Sequence, residues 1–212
     1  MDRKRLKKEA RSLVAKNRAR AVLALLIPMA VYFVIYMIPM GLFALTEQMV
    51  FVALAVIVAI LFVPIIVGLF SFFRAFKDDQ NTSYEVLLRG YKDGRLPRSL
   101  GRLIQMIIQI QLWYILIVIP GIVKAHAYAM TPFILGDETF DDSDKSPIKI
   151  SREMMDGHKL DLFVWVLSFI GWFILGMLTL HILTILFVAP YFYQSLALFY
   201  ENVKAEYMQK QA

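Results

Sequence analysis

With 212 residues, 59% hydrophobic side chains and a mean hydropathy of +0.60, the chain is too apolar for an ordinary soluble domain. It has no cysteine, which excludes disulfides, thiolate nucleophiles and cysteine-ligated metals. The formal charge of +6 comes from basic residues that flank apolar blocks, a pattern that orients membrane helices and attracts anionic lipid, so no nucleic-acid partner is expected.

Residues 1–20 carry nine basic side chains (Arg3, Lys4, Arg5, Lys7, Lys8, Arg11, Lys16, Arg18 and Arg20) against Asp2 and Glu9. Leu6, Ala10, Leu13 and Val14 can share one helical face. This predicts a basic amphipathic helix lying on the cytoplasmic membrane surface, although a plain topology anchor fits the same residues. The apolar block that follows is longer than a signal-peptide core and is not followed by a small-residue cleavage site, so the first span is expected to be retained.

Residues 21–45 and 49–73 are two apolar blocks separated by Thr46-Glu47-Gln48. Crossing the hydrocarbon takes about 20 apolar residues in a helix, so each block predicts a span. The basic stretch 74–102 follows on the cytoplasmic side. Within it, Tyr84-Glu-Val-Leu-Leu-Arg-Gly predicts a short interfacial helix ending at Gly90. Residues 99–135 are too long for one straight span, roughly 55 Å at the helical rise. Pro120-Gly121 interrupts them, which predicts a tight hairpin turning at Ile119-Pro120-Gly121 rather than one kinked helix. Residues 160–200 have similar length and are read the same way, with a break near 178–181.

The fold expected is therefore an all-α polytopic transmembrane bundle of six spans in three hairpins, at about 21–45, 49–76, 99–118, 121–136, 160–178 and 182–203. One membrane domain covers 21–203 and a cytoplasmic tail covers 204–212, leaving no room for a soluble enzyme domain. The alternative is five spans, which would put the charged loop 136–159 and the tail outside. Ile60-Leu-Phe-Val-Pro, Ile115-Leu-Ile-Val-Ile-Pro and Ile185-Leu-Phe-Val-Ala-Pro recur, as an internal repeat or as chance in an Ile/Leu/Val-rich chain.

From Trp113 onward, Trp113-Tyr-Ile-Leu-Ile-Val-Ile-Pro-Gly-Ile-Val-Lys-Ala-His-Ala-Tyr is followed by Ser151-Arg-Glu-Met-Met-Asp-Gly-His-Lys, Leu167-Ser-Phe-Ile-Gly-Trp and Pro190-Tyr-Phe-Tyr-Gln. These runs resemble the domain of unknown function 975 family, integral membrane proteins of Gram-positive bacteria without an established activity. The resemblance covers roughly the second half of the chain and implies a multi-pass protein of the bacterial cytoplasmic membrane. More distantly, the layout is similar to the membrane domain attached to some glycerophosphodiesterases. Their catalytic domain is absent here, so that activity does not carry over.

Two constellations stand out. Arg98, Arg102, Gln105 and Gln109 fall on one helical face, either as a polar path from the cytoplasm or as interhelical hydrogen bonds with snorkelling arginines. Lys124 and His126, with Arg152, His158 and Lys159, are candidates for binding an anionic lipid headgroup or a membrane partner. Ordinary basic anchoring, backbone satisfaction at the Pro-Gly break and a helix stop at Gly157 explain them equally well. The three histidines lack ligand spacing, no cofactor or metal is expected, and no catalytic residue is assigned because enzyme motifs are missing. The reading is a non-enzymatic accessory or regulatory membrane subunit that contacts anionic lipid. The alternative is a small transporter or lipid-moving protein using the polar stripe.

Overall fold

The computed structural model describes residues 3–92, 94–141 and 145–211, with the side chains of all these except Arg3. Asp2, at the start of the basic segment, and the loop residues Asp142 and Asp144 lie outside the described residues. The described residues are helical with no strand. Helix α1 is Arg3–Lys16, α2 is Arg18–Thr46, α3 is Met49–Phe62 and α4 is Ile65–Ala75. After a 3-10 turn at Tyr84–Leu88 come α5 (Arg95–Leu116), α6 (Val118–Tyr128) and α7 (Thr131–Leu135). A second 3-10 turn, Glu138–Phe140, leads to α8 (Pro147–Met154), α9 (Lys159–Leu167) and α10 (Ile170–Leu178). A π-helical turn, Thr184–Val188, opens the last helix, α11 (Ala189–Gln211).

Four segments are long and apolar enough to cross a membrane: Arg18–Thr46, Met49–Ala75, Val118–Leu135 and Lys159–Leu178. Their surfaces carry exposed Leu, Ile, Val, Phe and Met along α2, α3 and α10. An apolar band of that extent suits lipid, where helices satisfy their own backbone. Helix α5 is not among the four. Its 22 residues reach about 33 Å, but Arg95, Arg98 and Arg102 occupy its first turns.

Pro28 and Pro39 lie inside α2, whereas the later prolines fall where helices begin. Pro64 caps α4, Pro120 is the third residue of α6, Pro132 the second of α7, Pro147 the first of α8, and Pro190 the second of α11. A first-turn N–H has no intrahelical acceptor, so a proline there loses nothing. This physics moves the middle turn. The hairpin expected at Ile119-Pro120-Gly121 instead turns at Ile117, which is extended (φ −155°, ψ 130°), and Pro120 already belongs to the returning helix. Helices α5 and α6 pack side by side, with Met106 and Ile110 against Ala127 and Tyr128. In the last hairpin, Leu180 and His181 adopt left-handed backbone, and the His181 N–H donates to the Gly176 carbonyl at 2.8 Å.

The short helix expected at Tyr84–Gly90 forms as the 3-10 turn Tyr84–Leu88. It folds back along α4, with the Leu87 backbone against Gly68 and Gly90 against the Pro64 carbonyl, approaches that leave no room for a Cβ. The break at Pro64 leaves the Leu61 and Phe62 carbonyls short of helical partners. The Tyr91 hydroxyl donates to both, at 3.0 and 3.2 Å. The apolar face of α1 is covered by protein: Leu6, Ala10 and Leu13 are buried against Leu198 and Tyr191 of α11. Lys7 reaches the Ser168 hydroxyl and sits 4.3 Å from the Phe169 ring. An amphipathic stripe is covered as well by a neighbouring helix as by lipid.

The core lies where the basic ends of the hairpins meet. Phe72, Phe73, Phe76, Phe133, Trp165, Phe169, Phe199 and Tyr200 are fully buried there. Phe133 stacks on Tyr200 at 4.6 Å and Phe70 meets Phe133 edge-on at 4.6 Å, offset geometries favoured by aromatic quadrupoles.

Candidate functional site: a cationic cleft

Beside this core, α5 and α6 form one wall of a cleft of about 560 Å³, and the segment 146–159 forms the other. Its position depends on one hydroxyl. Ser151, fully buried, donates to the Ala127 carbonyl at 2.9 Å and accepts from the Met130 N–H at 3.2 Å. The α6–α7 break frees those backbone groups, and α8 is clamped onto it through them. Ile148 packs on Ala127 and Tyr128, leaving Lys149 and Arg152 on the cleft side of α8.

The first wall carries Gln105, Gln109, Lys124 and Tyr128; the second carries Ser146, Lys149, Arg152, Glu153, Asp156 and Lys159. Two carboxylates are already engaged. Glu153 accepts from the Lys145 ammonium at 2.9 Å and the Tyr207 hydroxyl at 3.0 Å, and the Lys145 bond holds its carboxyl below the usual range. Asp156 lies 3.5 Å from the Lys159 ammonium. Among the described residues, Lys124, Lys149 and Arg152 make no ion pair; the Lys124 ammonium sits 4.9 Å from the Trp113 ring. On the α5–α6 wall, Arg102 donates to Gln105 Oε1 at 3.0 Å, while Gln109 Oε1 is buried without a partner. The cleft thus has cations without an ion pair on both walls, and on the α5–α6 wall an unmet acceptor beside Lys124.

Of the sequence candidates, Lys124, Arg152, Lys159, Gln105 and Gln109 come together here. Arg98 is drawn away, bonding the Phe140 carbonyl at 3.1 Å and the Asp141 carboxylate at 3.4 Å, where Arg95 pairs as well. The stripe therefore divides: its glutamines face the cleft, and Arg98 ties α5 to the loop after α7. His126 donates from Nδ1 to the Ile122 carbonyl at 2.7 Å and packs edge-on against Phe163, serving its own helix. His158 occupies the N-cap position of α9 without a side-chain cap, its Nε2 lying 3.0 Å from Glu206. Lys149 escaped the sequence reading, although its spacing of three before Arg152 puts both on one helical face. Among the described residues no group of His, Asp or Glu is arranged to hold a metal ion.

A second charge cluster was invisible in the sequence. Asp137, 1% exposed, accepts from the Lys204 ammonium at 2.6 Å and the Tyr200 hydroxyl at 2.7 Å, with the Arg74 guanidinium at 3.1 Å. Arg74 also donates to Glu201 at 2.6 Å. One carboxylate therefore joins α4, the end of the second hairpin and α11. Burial alone would raise its pKa; Lys204, Tyr200, Thr139 and Arg74 outweigh that and hold it at about 2.

Residues 114–207 match the family model described as protein of unknown function (DUF975). The match covers less than half of the chain. No curated protein and no solved structure matches the chain. The matched region includes the Ser151 clamp, the three cations without an ion pair, and Asp137 with Tyr200 and Lys204; α1 to α4, Arg74 among them, and Gln105 and Gln109 lie before it.

Proposed function

We propose that this is a six-span protein of the bacterial cytoplasmic membrane, with both termini cytoplasmic, that works by binding rather than catalysis. Its cleft takes an anionic ligand at the inner face, and the protein acts as an accessory or regulatory subunit in contact with anionic lipid. The observation that carries this reading is the convergence of Lys124, Lys149 and Arg152 on one cleft, none of them in an ion pair among the described residues, while Glu153 and Asp156 there are engaged by Lys145 and Lys159. Such charges in a half-buried site favour an anion. The three hairpins support the span count, because Arg95 pairs with Asp141, Tyr207 bonds Glu153 and α1 packs on α11, which gathers these helix ends on one side. Reporter tags at Asp141 and the C-terminus are expected to report the same, cytoplasmic side; opposite sides would reduce the count to five.

Replacing Lys124, Lys149 and Arg152 together by Gln is expected to cut co-purified anionic lipid at least about tenfold, since each charge-assisted hydrogen bond contributes about 1.5–3 kcal/mol. Membrane insertion should be intact. Unchanged lipid or partner association would overturn the reading.

The unpartnered Gln109 Oε1 at the cleft wall favours a second reading, a small carrier with a polar path. It predicts flux of lipid or solute in proteoliposomes that falls when Gln105 and Gln109 become Leu. Flux equal to that of empty vesicles would exclude it.

A further inference from the structure

Resting on the binding reading above, we propose that the occupant of the cleft is a phospholipid whose anionic phosphodiester carries a hydroxyl-bearing headgroup, of the glycerol type, entering sideways from the bilayer. Three features of the cavity select that chemistry. Lys149 and Arg152 on α8 and Lys124 on α6 supply cations for a phosphate, none of them in an ion pair among the described residues. On the α5–α6 wall, the one that carries Lys124, Gln109 Oε1 is buried and unpartnered, so it requires a hydrogen-bond donor. A hydroxyl on the headgroup provides that donor while adding no positive charge beside the cations; an ammonium headgroup would repel them. The third feature is lipophilic. Val123 lines the same cavity and is exposed, and beyond it the apolar tip of the hairpin continues through Ile119 and Leu116. Acyl chains on that surface would leave the phosphate level with Lys124. The volume of about 560 Å³ is within the range of small-ligand sites.

The discriminating experiment uses the full chain in phosphatidylcholine nanodiscs doped with equal amounts of phosphatidylglycerol or phosphatidylmethanol. Both are singly charged phosphodiesters, and only the first has headgroup hydroxyls. Lipid retained after exchange is quantified by mass spectrometry. The expected result is a preference for phosphatidylglycerol over phosphatidylmethanol of about three- to tenfold, the worth of one buried hydrogen bond. Gln109→Leu should remove that preference while keeping both anionic lipids ahead of phosphatidylcholine. Lys149→Gln with Arg152→Gln should remove the anionic preference itself. Equal retention of the two anionic lipids by the wild type would overturn this inference and leave anionic binding standing. No preference over phosphatidylcholine would overturn both. Displacement by millimolar sn-glycerol 3-phosphate, with no lipid preference, would assign the cleft to a soluble phosphate and overturn the lipid assignment. The wild-type comparison decides the question even where a variant fails to fold.

Discussion

Asp137→Asn is expected to destabilise the protein by about 3 kcal/mol, the cost typical of removing one partner from a buried ion pair. The carboxylate is 1% exposed and is the common acceptor for Lys204 and Arg74. Asparagine has nearly the same shape, so the loss would be electrostatic rather than steric. It would leave Lys204 with the Thr139 hydroxyl at 2.9 Å and Arg74 with Glu201. Glu138→Gln is the matched control. Its carboxylate is 75% exposed and pairs with Arg89 at the surface, where such pairs contribute about 0–1 kcal/mol. Thermal unfolding in detergent should separate the two variants, and equal midpoints would remove Asp137 from this role. The same residue predicts a pH dependence. Its folded pKa of about 2 lies below the ordinary 3.8, so its stabilisation is complete above pH 4 and is lost as pH falls through 2. The amount lost is about 2–3 kcal/mol. The Asn variant should lack that component of the acid transition.

Gly68→Ala is expected to be the most disruptive single methyl in the chain. An added Cβ there would overlap the backbone carbonyl of Leu87, and a backbone atom cannot rotate away as a side chain can. Overpacking of this kind costs about 1–3 kcal/mol or more, and relieving it would push the Tyr84–Leu88 turn off α4. That displacement would also pull Tyr91 from the Leu61 and Phe62 carbonyls, exposing the break at Pro64. Gly101→Ala supplies the contrast. It lies within α5 with nothing within 4 Å of its would-be Cβ, so it should stabilise by up to about 1 kcal/mol through helix propensity alone. Equal protease sensitivity of residues 77–94 in the two variants would refute the packing argument.

Several parts of the site were legible before any coordinates. Lys124, Arg152, Lys159 and the two glutamines stand out because charged and amide groups are costly beside apolar runs, so any that are retained draw attention. That they share one cleft depends on Ser151 gripping the Ala127 and Met130 backbone, a contact between residues more than twenty apart. The Asp137 cluster lay hidden for the same reason. Its partners are 63 and 67 residues away, and nothing near Asp137 in sequence marks it as buried. Arg98 looked like part of the stripe because helical periodicity records which face a residue occupies, not which neighbour meets it.

The amino-acid sequence by itself determined the helical class, the membrane-length apolar segments and the family resemblance of the second half. Those follow from composition over windows of about 20 residues, the distance at which lipid acts on a chain. The tertiary structure alone decided that α1 packs on α11, that the chain after α4 doubles back, and that the middle hairpin turns at Ile117. An amphipathic stripe does not specify what covers it, and a proline is as compatible with a helix's first turn as with a loop. Each of these choices rests on backbone groups and apolar faces satisfied by residues far away in sequence, and local pattern carries no record of them.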